Sequence, residues 1–140
     1  MPELIRRQAA LGRTMARFRR KPFRLGRNDC VQLARFHLKA MGHRKLPASG
    51  RYSTPAGARR ALRSTGHETL EALLDSLLPR IAPAAMLPGD VALLAAEPGA
   101  PAADVGAIAI SLGGKLMGWH PDKEELAVLD VSAIAAAWRA

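Results

Sequence analysis

Phe23-Arg24-Leu25-Gly26-Arg27-Asn28-Asp29-Cys30-Val31-Gln32-Leu33-Ala34 holds the chain's only cysteine directly after two residues of the kind that cap helices. The apolar spacing that follows predicts a helix over residues 30–41, stopped at Gly42, with Val31, Ala34, Leu38 and Met41 on one stripe and Cys30, Leu33 and His37 on the next. Cys30 then opens a helix, where about half a positive charge and unpaired N–H groups favour thiolate over thiol. That makes it the first candidate nucleophile. The alternative, from these residues alone, is a cysteine packed as a small hydrophobe.

On the N-terminal side, Pro2 suits a first helical turn, and Leu4, Ile5, Leu11, Met15 and Phe18 recur at the spacing of one helix face, ended by Lys21-Pro22. On the C-terminal side, residues 43–54 read as loop. Thr54-Pro55 is a cap followed by proline at the first helical position, and Gly66 is a stop, so a helix of about ten residues is expected between them. Residues 69–78 carry leucines at a helical period, closed by Pro79. Then the texture changes. Pro88-Gly89-Asp90 predicts a turn, and residues 91–95, 105–112, 115–119 and 126–131 predict four short strands, with Gly113-Gly114 as a hairpin turn. Residues 132–139 are expected as a short helix, capped by Ser132 and anchored by Trp138. Helices first and strands after imply an α+β fold, with the Cys30 helix laid on an antiparallel sheet of about four strands.

A chain of 140 residues predicts a single domain over 1–140. One cysteine excludes an internal disulfide and a Cys-rich zinc site, and the four scattered histidines show no metal-ligand spacing, so neither cofactor nor metal is expected. There is no apolar run of membrane-spanning length and no signal-peptide pattern, which points to synthesis in the cytoplasm. Charge is unevenly spread: residues 1–63 hold 17 Lys or Arg against Glu3 and Asp29, whereas residues 64–140 hold 4 against 10. The basic half suits acidic partners, including a neighbouring subunit, a cell-wall polymer or nucleic acid. With only Phe18 and Phe23 inside the cluster of Arg17, Arg19, Arg20, Lys21 and Arg24, single-strand stacking is poorly supported, so nucleic acid is the lesser of these.

Asn28-Asp29-Cys30, Leu87-Pro88-Gly89-Asp90-Val91 and Asp104-Val105-Gly106-Ala107-Ile108 together resemble the NlpC/p60 superfamily. That resemblance implies a papain-like fold and cleavage of peptide or amide bonds, often in bacterial cell walls. A closer likeness is to a branch of it found largely in tailed phages and prophages, the domain-of-unknown-function family 6950. The shared features are the phenylalanine and glycine before Asn28-Asp29-Cys30, the Gly50-Arg51-Tyr52-Ser53 loop, Gly89-Asp90, and the terminal Trp138-Arg139. The context so implied is a virion tail, at the tail tip or in its assembly, with other tail proteins as partners.

A cysteine hydrolase needs a base that takes the thiol proton and returns it to the leaving group. The resemblance places that base at the start of the Val-Gly strand, where this chain has Asp104. Aspartate, with a reference pKa near 3.9, is a poor proton acceptor at neutral pH and disfavours a neighbouring thiolate. His120, after the hairpin's return strand, is the candidate replacement; otherwise it is an exposed strand-end histidine. His37 lies seven residues, about 10 Å of rise, along the helix from Cys30 and is too far to touch the sulfur. His43 and His67 adjoin helix-ending glycines and read as caps or solvated residues. Asn28 and Asp29 are read as caps, Asp90 as fixing its turn, Gly89 as a position needing backbone freedom, Tyr52 as a rim or pocket tyrosine, and Trp138 as a packing residue. The leading expectation is a phage or prophage tail component on an NlpC/p60-like frame with weakened or lost catalysis. Its rivals are an active cysteine peptidase or amidase acting on peptidoglycan peptides, with Cys30 as nucleophile and His120 as base, and a basic nucleic-acid-binding module.

Overall fold

A computed structural model describes residues 2–48, 50–95, 107–120, 123–131 and 134–140. Four helices come first: α1 (Glu3–Phe18), α2 (Cys30–Ala40), α3 (Pro55–Ser64) and α4 (Leu70–Leu77). Caps written in the sequence start three of them. The side chains of Asp29, Thr54 and Thr69 accept the N–H groups of Gln32, Gly57 and Ala72, and Pro55 occupies the first position of α3.

The face of α1 differs from the expected one. Leu4 and Ile5 are 53% and 52% exposed, and the buried stripe is Arg7, Ala10, Leu11, Thr14 and Phe18. The helix is rotated so that a guanidinium enters the interior, because a buried carboxylate, Asp90, waits there to pair with it at 2.8 Å.

Six strands follow: β1 (Arg80–Ile81), β2 (Val91–Leu94), β3 (Ala107–Ser111), β4 (Lys115–Gly118), β5 (Ala127–Asp130) and β6 (Ile134–Trp138). They form one open antiparallel sheet in the order β1-β6-β2-β3-β4-β5. The α+β class and the helices-then-strands order hold, with six strands in place of about four. The expected terminal helix is instead strand β6, inserted between β1 and β2 with Trp138 opposite both Val91 and Arg80. Alanine favours helix locally, but here Ala136, Ala137 and Trp138 are buried between two strands, and that packing outweighs propensity. Ser132, the expected cap, lies outside the described residues, as do Val105 and Gly106 of the Val-Gly strand entry.

Alternation gives the sheet two faces. Val91, Leu93, Ile108, Ile110, Met117, Ala136 and Trp138 join the helices in the main core, while Ala92, Ala109 and Leu116 form a smaller cluster with Met86, Leu94, Leu129 and Ile134. Helix α2 packs on both α1 and β3, as expected for a Cys30 helix laid on the sheet.

His37 locks this junction. Its Nε2–H donates to the Gly89 carbonyl (2.9 Å), and its Nδ1 meets the Thr14 hydroxyl (2.8 Å). A carbonyl only accepts, so the neutral ring carries its proton on Nε2 and presents Nδ1 as an acceptor to the Thr14 hydroxyl, whose one proton also faces the Ala10 carbonyl at 3.0 Å. Burial pushes the His37 pKa below its usual 6.5, with Arg7 adding to the effect and the Gly89 bond and Asp90 opposing it. The unfolded chain therefore takes up a proton that the folded chain resists. Stability is complete above the unfolded value and falls as the pH drops below it. Urea unfolding at pH 7.5 and 5.5 should show a larger loss for the wild type than for His37→Gln; equal losses would remove His37 as the cause.

Candidate active site

The loop before α2 closes on itself through Arg24 N–H to Asn28 O (2.9 Å) and Asn28 N–H to Arg24 O (2.8 Å). Gly26 sits in it with φ +86°, in the left-handed region that favours glycine. From there its N–H donates to Asp29 Oδ2 (2.7 Å), while Asp29 Oδ1 accepts the Gln32 N–H (2.9 Å). Asp29 is thus the cap, and Asn28 contributes backbone to the loop.

The second Asp29 oxygen also accepts the Tyr52 hydroxyl at 2.7 Å, and Gln32 Nε2 donates to that hydroxyl at 3.3 Å. Burial, reinforced by the Asp29 carboxylate and the nearby Cys30, pushes the Tyr52 phenol well above its ordinary range, against the opposing pull of Gln32. Tyr52 is therefore a fixed donor that braces the start of α2. The brace depends on Gly26 lacking a side chain, because a Cβ there would stand 2.0 Å from the Tyr52 carbonyl oxygen. Gly26→Ala should cost about 1–3 kcal/mol of unfolding free energy through the clash and the positive φ. A chemical-denaturation midpoint equal to wild type would contradict this packing.

Cys30, half-buried at the first position of α2, opens onto a cavity of about 730 Å³ whose wall also holds Asp29, Tyr52, Trp119 and His120. His120 follows β4 and is placed by its neighbour. Trp119 packs edge-on against Phe18 and Phe23 at centroid distances of 5.8 and 6.4 Å, and its indole N–H donates to the Lys21 carbonyl (3.0 Å). Four sequence-derived site residues, Asp29, Cys30, Tyr52 and His120, thus meet at one cavity. Asp104 lies outside the described residues. A thiol at a helix start, with an imidazole on the same cavity wall, has the components of nucleophilic acyl transfer. Among the described residues, no group of three or more His, Cys, Asp or Glu is placed to hold a metal ion.

The other candidates stand elsewhere. Gly89 (φ +92°) and Asp90 lie at the entry to β2 against α1 and α2. Asp90 does fix its turn, accepting the Leu87 N–H at 2.8 Å, and it is also the hub of a buried network with Arg7, Arg139 and the Ala140 N–H. Trp138 packs in the core, donates to Asp75 Oδ1 at 2.9 Å and carries the Arg80 guanidinium over its ring. Asn28 borders a separate cleft of about 590 Å³ with Arg17, Lys21, Arg24 and Arg27. Sequence reasoning missed Arg7, Gln32 and the α3 and α4 residues of the cavity wall. Only Arg7 left a trace, at helical spacing with Ala10, Leu11 and Thr14.

Among the described residues no helix is long and apolar enough to cross a membrane. No curated protein and no solved structure is significantly similar to the chain. Its sequence does match, over residues 3–140, the family described as domain of unknown function (DUF6950), and the chain belongs to that family.

Proposed function

We propose that this protein is a component of phage or prophage tails on an NlpC/p60-like, papain-like frame, and that its Cys30 site retains cysteine-hydrolase chemistry. The observation that carries the catalytic part is the convergence of Cys30 and His120 on one cavity, beside the Asp29–Tyr52 brace. In this reading His120 takes the proton from Cys30 Sγ, and the thiolate attacks a substrate carbonyl carbon. N–H groups of the first turn of α2 offset the charge on the carbonyl oxygen. Collapse breaks the bond to the leaving amine or alcohol, which takes the proton from His120; water then hydrolyses the thioester and restores the thiol. The tail context, assembly in the host cytoplasm and contact with other tail proteins are what the sequence resemblance to the phage and prophage branch implies. The exposed cations Arg19, Arg20, Lys21, Arg24 and Arg27 suit acidic surfaces of such neighbours.

Iodoacetamide should label Cys30 at pH 7 at least about tenfold faster than it labels free cysteine, and Cys30→Ser should abolish cleavage of muropeptide or model acyl substrates. Slow labelling with no turnover leaves the other reading, a catalytically silent tail scaffold. That reading predicts instead that Cys30→Ser still binds the products of neighbouring tail genes as tightly as wild type.

A further inference from the structure

The cavity is shaped and lined for one kind of acyl group. Cys30, Ala34 and Leu38 all contribute to its wall and succeed one another along α2, so it extends about 12 Å from the thiol. Beyond the first turn of α2 the wall is largely aliphatic, formed by Ala34, Leu38, Leu62, Leu73, Leu74 and Leu77 among others. A peptide would bring an N–H and a C=O with every residue and need partners for each. Apart from Arg59, the α3 and α4 walls offer little of that kind: the Thr65 hydroxyl already donates to the Leu62 carbonyl. Of β3 only Ala107 and Ile108 reach the cavity, paired to β2 on one side and beyond the β4 pairing that begins at Ile110, so the strand offers a peptide an edge of about two residues there. Near the thiol the wall does carry polar groups, Asp29 bonded to the Tyr52 hydroxyl beside Cys30, and His120 is on the same wall.

Charge points the same way. Arg35, Arg59 and Lys123 line the cavity, and the one acidic group among its described lining residues is Asp29, whose oxygens already accept from Gly26, Gln32 and Tyr52. The balance suits an apolar body with an anionic or strongly polar head. A methylene occupies about the volume of a liquid water molecule, ~30 Å³, so a twelve-carbon chain fills roughly half of the 730 Å³.

We infer that the acyl side of the bond cleaved here is an unbranched aliphatic chain, so that the site handles fatty-acyl amides or esters. This inference rests on the Cys30 reading for its chemistry and on the cavity alone for binding. Sγ forms the thioester to the acyl carbon as the C–N or C–O bond breaks; the Cys30 proton leaves through His120 with the amine or alcohol, and water releases the fatty acid.

Dodecanoate should bind the Cys30→Ser protein, and butanoate should bind it about a hundredfold or more weakly, because eight methylenes fewer leave water. Leu73→Trp, which fills the wall, should weaken dodecanoate binding at least about tenfold, with the thermal midpoint as a check on folding. Should that variant not fold, chain length on the wild type decides. Turnover of p-nitrophenyl octanoate should exceed that of the acetate at least about tenfold in kcat/KM. Absence of dodecanoate binding, or turnover of the acetate and octanoate at equal kcat/KM, overturns the acyl-chain assignment while leaving Cys30 as nucleophile. Dodecanoate binding with turnover unchanged in Cys30→Ser overturns the cysteine reading and keeps the cavity assignment.

Discussion

Asp90→Ala is expected to destabilise the protein by about 3–5 kcal/mol, a large share of the roughly 5–15 kcal/mol that holds a domain of this size folded. The Asp90 side chain is fully buried, and its oxygens accept from Arg7 Nη1 (2.8 Å), the Leu87 N–H (2.8 Å) and the Ala140 N–H (3.0 Å), with Arg139 Nη1 at 3.2 Å. Its removal leaves the Arg7 guanidinium, 3% exposed, with Glu3 and the carbonyls of Pro88 and Ala140 but without its buried counter-charge. The cost lies in that stranded charge more than in a lost attraction. Arg7→Met combined with Asp90→Ala should therefore lose less than the two single changes added together, yet not return to wild type, because the Leu87 and Ala140 N–H groups lose their acceptor. Urea titration of the four proteins measures this. A single-variant loss below about 1 kcal/mol would show that the pair is not a buried one.

His120→Ala should lower Cys30-dependent turnover by about 10²–10⁴-fold, the usual contribution of a positioned general base. The effect belongs in kcat more than in KM, because the imidazole moves a proton in the transition state without having to hold the acyl group. A fall of less than about threefold would assign the proton transfer to another group and return His120 to the role of a rim residue.

The helices were legible because their signals are local: Asp29, Thr54 and Thr69 each cap the turn that follows them, and Gly66 ends α3 with φ +90°. The site was partly legible for the same reason, since the capping stretch, Tyr52 and His120 are read as short motifs. What escaped depends on partners far along the chain. Arg7 and Asp90 are 83 residues apart, and nothing near Arg7 announces a buried carboxylate. Strand β1, two residues long, exists only because β6 lies beside it. The alanines of β6 state a helical preference that three-strand packing overrules. In the same way the leucines of α4 read as ordinary core; that Leu73, Leu74 and Leu77 also face a cavity leading to Cys30 follows from how α3 and α4 stand against α2.

The position of β6 governs how the molecule can be assembled during synthesis. Because residues 134–138 form the seam between β1 and β2, a nascent chain still held in the ribosome tunnel at that point has β1 without a neighbour and one side of β2 open. Such an unpaired side is a template for another chain to adhere to. Truncation before Ile134 removes the seam permanently and should yield aggregates in place of a smaller folded unit.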